Sequence, residues 1–162
     1  LGIPMFGEVI KRVGELGIPV VIHTLFGDFS TLFFRSPPSF NRVEDYELLP
    51  YIAPETTIIL AHMGGSFHFE DVLQIAAHKN VFVDTSYSII TIARKIGLDL
   101  LAEYIKSLGS DKFVFGSDYV MGLTPEEYSA KRQVDIIGSL PLPKEDKKNI
   151  LWKNARRILN LE

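Results

Sequence analysis

The stretch Pro19-Val20-Val21-Ile22-His23 decides the fold: a proline opens it, three branched apolar residues follow, and a histidine ends it. The same design recurs at residues 57–62, 80–85 and 112–118. Short continuous apolar runs are typical of strands that are buried on both faces, as in a parallel sheet. Each run ends in a residue able to bind metal, move protons or hold a polar ligand. Because ligands of α/β folds sit at the carboxyl ends of strands, these ends are the candidate site.

Segments with a helical pattern lie between these runs. Strands that alternate with helices imply right-handed βαβ units, and therefore a parallel α/β sheet with helices on its outer face. The repeat length fits either a doubly wound sheet or part of a (β/α)8 barrel. No linker interrupts the pattern, so we expect a single domain over residues 1–162. The predicted helices cover residues 5–16, 43–51, 69–78, 89–108 with a break at Gly97, a start at 124–127, and 143–160.

The composition excludes several classes of function. Of the 162 residues, 46% are apolar and 23% charged, and the net charge is −3, so the charge favours neither nucleic acid nor anionic membrane as a partner. No apolar run approaches the roughly 20 residues that cross a bilayer. The absence of cysteine excludes disulfides, thiolate zinc ligands and a cysteine nucleophile. It also fits a reducing, cytoplasmic location.

Three strand ends carry side chains that suit a metal centre: His23, His62 and Asp118. Neutral imidazole and carboxylate oxygen are the usual ligands of Zn²⁺ and related divalent metals. On separate parallel strands they would meet at one edge, where a bound metal would make water a nucleophile near neutral pH. An uncoordinated member could act as a general base. One such residue alone is more often structural, but three at matching positions favour a catalytic site.

Other polar residues near these ends are weighed individually. Asp84 and Thr85 suit substrate contact and strand-end hydrogen bonding equally well. Gly64 and Gly65 come two and three residues after His62, and adjacent glycines let the backbone turn sharply and approach a ligand. His68 and His78 are interpreted as structural, since the first lies near a helix start and the second near a helix C-terminus, where a cation suits the helix dipole.

A long segment, residues 24–42, follows the first strand and contains five phenylalanines, among them Phe33 and Phe34. Loops of this length are usually lids or binding loops, or else disordered, and the aromatic content argues against disorder. We therefore interpret the segment as an apolar lid over a substrate, with a local core as the alternative. Phe33 and Phe34 are the candidate substrate contacts.

Five motifs occur in an order that resembles the amidohydrolase superfamily, in particular the amidohydrolase-2 group of metal-dependent hydrolases and decarboxylases, which are (β/α)8 barrels. The resemblance covers nearly the whole chain and rests on the motifs taken together, since each alone is weak. The motifs are PVVIH at 19–23, AHMGG at 61–65, VDTS at 83–86, FGSD at 115–118 and NARRIL at 154–159.

The resemblance implies a role for each matching residue. His23 corresponds to the metal-binding histidine of strand 5. His62 corresponds to the histidine of strand 6, which is a second metal ligand in some branches and a water-orienting or catalytic group in others. Asp118 corresponds to the aspartate of strand 8, which binds metal and handles the proton of the nucleophilic water. Asn154 matches a structural asparagine of the final helix, and the implied cofactor is a divalent metal, with Zn²⁺ expected.

One departure from the family pattern bears on the extent of the chain. The family's first strand carries a His-x-His pair that supplies two metal ligands, and this sequence contains no such pair. A complete barrel also needs roughly 200 residues or more. We therefore expect the chain to represent strands 5–8, the C-terminal half of a barrel. Its open edges predict a homo-oligomer or a place within a longer polypeptide.

These observations predict an enzyme acting on a small-molecule substrate. The favoured function is a metal-dependent hydrolase in which activated water attacks an amide, ester or lactone-like bond. The alternatives are a metal-dependent decarboxylase of an aromatic acid, which would suit the phenylalanine-rich segment, and a non-catalytic half-barrel.

Overall fold

The structure, a computed structural model, describes residues 3–24, 44–119 and 125–161. Within these residues four short strands form one sheet in chain order, and all three pairings are parallel. This confirms the predicted parallel sheet. The strands are β1 (Val20–His23), β2 (Ile58–Ala61), β3 (Val81–Asp84) and β4 (Phe113–Val114).

Helices connect the strands, as the alternating pattern predicts. The predicted break at Gly97 is confirmed, since this residue has a φ of 83° and separates two helices. The described helices are α1 (Ile3–Glu15), α2 (Glu44–Glu47), α3 (Leu49–Ile52), α4 (Gly65–Ala76), α5 (Ser88–Ile96), α6 (Leu98–Leu108), α7 (Ala130–Ser139), α8 (Lys144–Lys148) and α9 (Asn154–Ile158). A π-helical segment, Asn149–Lys153, joins the last two.

Three helix boundaries differ from the prediction. The helix expected over residues 69–78 begins earlier, at Gly65, and ends at Ala76. The helix expected over residues 43–51 is two short helices, α2 and α3. The helix expected to start at 124–127 begins later, at Ala130, because a 3₁₀ turn over Glu126–Tyr128 comes first. The hydroxyl of Ser129 accepts a hydrogen bond from the backbone N–H of Arg132 and so caps α7.

The two faces of the sheet carry separate apolar clusters, because successive side chains of a strand point to opposite faces. The larger cluster joins Ile58, Leu60 and Val83 to the helices, and all three are almost fully buried. The smaller cluster is formed by Ile59, Phe82 and Val114, with Ala155 and Ile158 of α9 packed against it. The helices that connect the strands therefore cover one face, as predicted, whereas α9 packs against the other face.

Strand β4 is shorter than its sequence suggests. The apolar run over 112–118 predicts a strand reaching Asp118, but β4 ends at Val114. The next amide, that of Phe115, donates its hydrogen bond to the Ile150 carbonyl at 2.9 Å and so leaves the sheet. The side chain of Asn154, in α9, donates to the Phe113 carbonyl at 2.8 Å and so holds the first residue of the same strand. Asp118 therefore lies in the connection beyond β4.

In the part of the chain that the structure describes, none of the helices is both long and apolar enough to cross a membrane.

Candidate active site

His62 opens a left-handed turn directly after β2. His62, Met63, Gly64 and Gly65 have φ angles of 66°, 50°, 77° and 66°, a run that L-residues with a side chain adopt only at a cost of about 1–2 kcal/mol each. At two of these four positions the residue is glycine, which adopts a positive φ without that cost. A Cβ on Gly64 would also lie 2.8 Å from a methyl group of Val72, so glycine lets the turn pack against α4. The turn aims the His62 ring back toward β1.

The predicted histidines are in direct contact. The Nδ1 atom of His23 lies 3.1 Å from Nε2 of His62, and the ring centroids are 4.7 Å apart with planes at 73°. The parallel register explains the meeting, because His23 pairs with Ala61, the residue just before His62. His62 is buried, with 6% of its surface exposed, whereas His23 lies open at the edge of the sheet.

Hydrogen bonding assigns the tautomer of His62. Its Nδ1 lies 3.0 Å from the Ser86 hydroxyl oxygen and 3.2 Å from the Ser86 carbonyl oxygen. The Ser86 hydroxyl donates its one proton to Asp84, so both groups facing Nδ1 are acceptors. Nδ1 of His62 must therefore carry a hydrogen, which leaves the lone pair of a neutral ring on Nε2, facing His23.

The carboxylate of Asp84 organises this arrangement. Its Oδ1 accepts hydrogen bonds from the backbone amides of His62 and Ser86, each at 2.9 Å, and from the Ser86 hydroxyl. Of its two predicted roles, the structure therefore describes the strand-end hydrogen bonding. Gly116 lies against the pair: a Cβ there would be 3.2 Å from Ser86 Cβ and 3.5 Å from the Asp84 carboxyl carbon.

Thr24, which the sequence analysis does not single out, fastens the end of β1 to the His62 turn. Its buried hydroxyl donates to the Ala61 carbonyl and accepts from the Gly64 amide at 3.0 Å. The Tyr46 hydroxyl donates to the His23 carbonyl at 3.1 Å. Both histidines therefore have backbones that are held by side chains from elsewhere in the chain.

Asp118, the third predicted metal ligand, is exposed and has a φ of 49°. Partial burial of the His23 ring lowers its pKa below the ordinary value and the neighbouring His62 lowers it further, whereas the charges of Asp118 and Asp84 act in the opposite direction. The carboxylate of Asp118 thus lies within electrostatic reach of His23. Asp118 itself lies in the loop that follows the carboxyl end of β4.

The remaining predicted residues lie around or away from this centre. Thr85 is 1% exposed, and its hydroxyl has no hydrogen-bond partner among the described residues. Phe33 and Phe34, predicted to contact substrate, lie outside the residues that the structure describes. His68 contacts Asp71 within α4 at 3.2 Å, and the His78 ring packs edge-on against an aromatic neighbour; neither meets the histidine pair in the described contacts.

Two stacked tyrosines flank the loops after β3 and β4. The rings of Tyr87 and Tyr128 are 4.3 Å apart with planes at 7°. Burial raises the pKa of Tyr87 to about 12, with Tyr128 as the next cause, so the phenol keeps its proton at neutral pH. Tyr87 has a φ of 58°, and Gln133, buried in α7, accepts a hydrogen bond from its amide at 3.0 Å.

The donor set fits a divalent metal in part. Two nitrogens bound to one tetrahedral Zn²⁺ at about 2.0–2.1 Å would lie about 3.3 Å apart, close to the 3.1 Å between His23 and His62. Among residues 3–24, 44–119 and 125–161, however, no group of three or more His, Asp or Glu side chains is placed to hold a metal ion. The shared site of His23, His62 and Asp118 therefore stays a prediction, with two of its three donors in contact.

The proximity of Asp118 to His23 predicts a titration result. Removing a negative charge disfavours the imidazolium, so Asp118→Asn should lower the pKa of His23 further below its ordinary value. NMR titration of the histidine ring signals in protein stripped of metal by a chelator measures this shift. Asp111→Asn is the matched control, because Asp111 precedes β4 at the opposite end of the strand. An unchanged or higher His23 pKa in Asp118→Asn would show that the two groups are not neighbours.

Comparison with known families identifies the class of protein. The chain matches the model of the amidohydrolase family, in its amidohydrolase-2 group, over residues 4–161. The chain therefore belongs to the amidohydrolase family, whose members are enzymes, and the resemblance inferred from the five motifs is confirmed. A comparison with curated proteins finds no match.

Solved structures confirm the fold. A 2,6-dihydroxybenzoate decarboxylase from Rhizobium matches with a TM-score of 0.62 and 18% identity, over 98% of this chain and 56% of that one. A dihydroxybenzoic acid decarboxylase from Polaromonas sp. JS666, solved with bound manganese and 2-nitroresorcinol, gives 0.60 and 16%, over 96% and 54%. A protein from Pseudomonas putida assigned as a 2-pyrone-4,6-dicarboxylic acid hydrolase gives 0.64 and 20%, over 95% and 56%.

The chain thus spans about half the length of the solved structures that it matches. Its four strands correspond to part of a TIM-like barrel, which confirms the predicted fold class.

Proposed function

We propose that this chain is the C-terminal half of a metal-dependent hydrolase whose activated water attacks an amide, ester or lactone-like bond of a small molecule. The observation that carries the proposal is the contact of His23 with His62 at the carboxyl ends of β1 and β2, within a family of enzymes. Core packing does not require two imidazoles to meet at the edge of a sheet where α/β folds bind ligands.

The residues that would hold the metal are His23 and His62, through ring nitrogens, and Asp118, through its carboxylate. We propose Zn²⁺, since nitrogen and carboxylate donors are its usual ligands, with manganese as the alternative because one structurally similar decarboxylase was solved with it. When bound, such a metal supplies Lewis-acid polarisation and a hydroxide nucleophile at neutral pH.

The chain's own residues supply orientation and proton transfer. Asp118 would accept the proton, which is supported by its exposed carboxylate and by the effect of its charge on His23. His62 presents the Nε2 lone pair, and Ser86 with Asp84 holds its ring in the tautomer that makes this lone pair available. In this proposal His62 contacts the reactants, and Ser86 and Asp84 only hold its ring in place.

The second candidate is decarboxylation of an aromatic acid. Two of the structurally similar proteins are named decarboxylases of dihydroxybenzoates, and one was solved with the flat aromatic inhibitor 2-nitroresorcinol. In this reaction the bond to the carboxyl carbon breaks, CO₂ leaves, and a proton is delivered to the ring carbon. Asp118 in its protonated form, or His62 as the imidazolium, would be the proton donor.

We further propose that the chain works within a longer polypeptide or with a second copy, in the cytoplasm. The half-length match supports the longer polypeptide or second copy. Two exposed apolar residues at the β1 edge support it as well: Val21 is 63% exposed and Ile18 52%. A wet apolar edge strand favours coverage by further chain.

The test combines metal binding with product analysis on the full-length protein. We expect Zn²⁺ or Mn²⁺ to bind in calorimetry, and His23→Ala to weaken binding at least tenfold, whereas the control His78→Ala leaves it unchanged. The first substrates are 2-pyrone-4,6-dicarboxylate and 2,6-dihydroxybenzoate. A hydrolase incorporates ¹⁸O from labelled water into the product, whereas a decarboxylase releases CO₂ without such incorporation.

Two results would contradict the proposal. Release of CO₂ without ¹⁸O incorporation would replace hydrolysis by decarboxylation. A full-length protein that binds neither metal, and in which His23→Ala changes nothing, would indicate the non-catalytic half-barrel instead.

A further inference from the structure

We propose that Gln133, in helix α7, is a positioning residue that fixes the His62 segment and the Asp118 segment relative to each other. Its side chain is fully buried, at 0% exposure. Glutamine is a residue type found mostly at the surface, and a buried amide is stable only when its polar atoms are hydrogen-bonded. The partners of this amide therefore indicate why it is there.

Every polar atom of the Gln133 amide has a backbone partner in a loop. Its Oε1 accepts from the Tyr87 amide at 3.0 Å, in the loop after β3. Its Nε2 donates to the Ser117 carbonyl at 2.7 Å, in the loop after β4, and to the Tyr128 carbonyl at 2.9 Å. One side chain thus joins two loops that the sheet itself does not connect.

The first of these bonds leads to His62. The amide N–H of Tyr87 and the carbonyl of Ser86 belong to the same planar peptide group. That carbonyl lies 3.2 Å from Nδ1 of His62 and accepts its hydrogen. Gln133 therefore holds one side of the peptide whose other side orients the imidazole. The positive φ of Tyr87, 58°, is a conformation that needs such support.

The second bond leads to Asp118. The Ser117 carbonyl and the Asp118 amide form one peptide group, so the bond from Gln133 fixes the plane from which Asp118 projects. Asp118 also has a positive φ, 49°. The geometry makes Gln133 the common support of a group that faces His23 directly and of a carboxylate that reaches it electrostatically.

The amide is suited to both tasks, since it offers an acceptor and two donors. Glutamate in its ionised form would keep the bond from Tyr87 but would lose both donors and repel the Ser117 and Tyr128 carbonyls. Methionine, similar in shape, would lose all three bonds. Comparing the two substitutions therefore separates the effect of the bond from Tyr87, which leads to His62, from that of the bond to Ser117, which leads to Asp118.

The test reads the His62 ring directly and needs neither substrate nor metal, so it stands apart from the proposed reaction. In full-length protein carrying ¹⁵N-labelled histidine, the wild-type His62 ring should show one form, with its hydrogen on Nδ1. In Gln133→Met we expect a second population with the hydrogen on Nε2, and at least tenfold faster exchange of the Nδ1 hydrogen with water.

A matched control distinguishes positioning from stability. Among the residues that the structure describes, Asn154 is also a buried amide with backbone partners: it donates to the Ser110 and Phe113 carbonyls, both at 2.8 Å, at the opposite end of β4 from Asp118. Asn154→Leu should destabilise the fold and leave the His62 ring signals unchanged. Once a substrate is known, Gln133→Met should lower kcat more than it changes KM, because the reacting groups are misplaced while the substrate still binds.

The outcomes decide the proposal. If Gln133→Met does not fold, Gln133→Glu is used, and we expect its His62 ring signals to be retained while the Asp118 amide signal moves. A folded Gln133→Met with wild-type His62 signals overturns the proposal, as does an Asn154→Leu protein with the same His62 changes. A Gln133→Glu protein with an unchanged Asp118 amide overturns it as well.

Discussion

If His62 has the proposed acid–base role, we expect replacing it with asparagine to lower turnover by about 10²–10⁴-fold, the range that a positioned acid–base group contributes. The asparagine side-chain nitrogen takes the place of Nδ1 and can still donate to Ser86, but no atom replaces Nε2, which faces His23 at 3.1 Å. The backbone should accept the change, because His62 has a φ of 66° and asparagine is among the residues that adopt this conformation most readily. Steady-state kinetics on the full-length protein measure the loss.

The control for this variant is His68→Asn, which makes the same chemical change at a side chain that is 42% exposed and contacts Asp71 within α4. We expect its turnover to stay within twofold of the wild type. A His62→Asn protein that keeps its circular dichroism spectrum and also its turnover would show that Nε2 plays no part in the reaction.

Replacing Phe113 with alanine destabilises the protein by about 3–5 kcal/mol, the usual effect of emptying a buried aromatic site. Phe113 is 0% exposed, belongs to the larger apolar cluster, and forms half of the two-residue strand β4. The lost stability is the sum of two costs: the transfer free energy of the removed ring atoms and the cost of the cavity left behind. The midpoint and slope of urea unfolding measure it.

Leu100→Ala is the matched control, since Leu100 is 48% exposed in α6 and loses little contact on truncation. Its expected effect is within about 0.5–1 kcal/mol. A Phe113→Ala effect as small as the control's would mean that this side chain is not packed as the structure describes.

The meeting of the two histidines could be predicted from the sequence because it depends on local rules. Branched apolar runs form buried parallel strands, and parallel strands bring their carboxyl ends to one edge. The observed register, with His23 opposite Ala61, then places His62 beside His23. The four strands and the break between α5 and α6 follow from patterns of the same short range.

The rest depended on contacts between distant parts of the chain. Phe115 continues the apolar run after Val114, yet β4 ends at Val114 because the Phe115 amide bonds to the Ile150 carbonyl. Gln133 is surrounded in sequence by charged residues and resembles a solvent-facing helix position, although it is fully buried. The Ser86 hydroxyl lies between Asp84 and His62 because the turn at His62–Gly65 has positive φ angles. The spacing of apolar residues in the sequence does not indicate those angles.

The clamps on β4 have a consequence for how the chain is made. The first three strands can pair in the order in which they leave the ribosome, since each contacts the one before it. The partners that hold β4, Ile150 and Asn154, come later, and Asn154 follows Phe113 by 41 residues, about 2–8 s of synthesis. A nascent chain that ends inside this interval contains the histidine pair but lacks Ile150 and Asn154, the two residues that hold β4 in place.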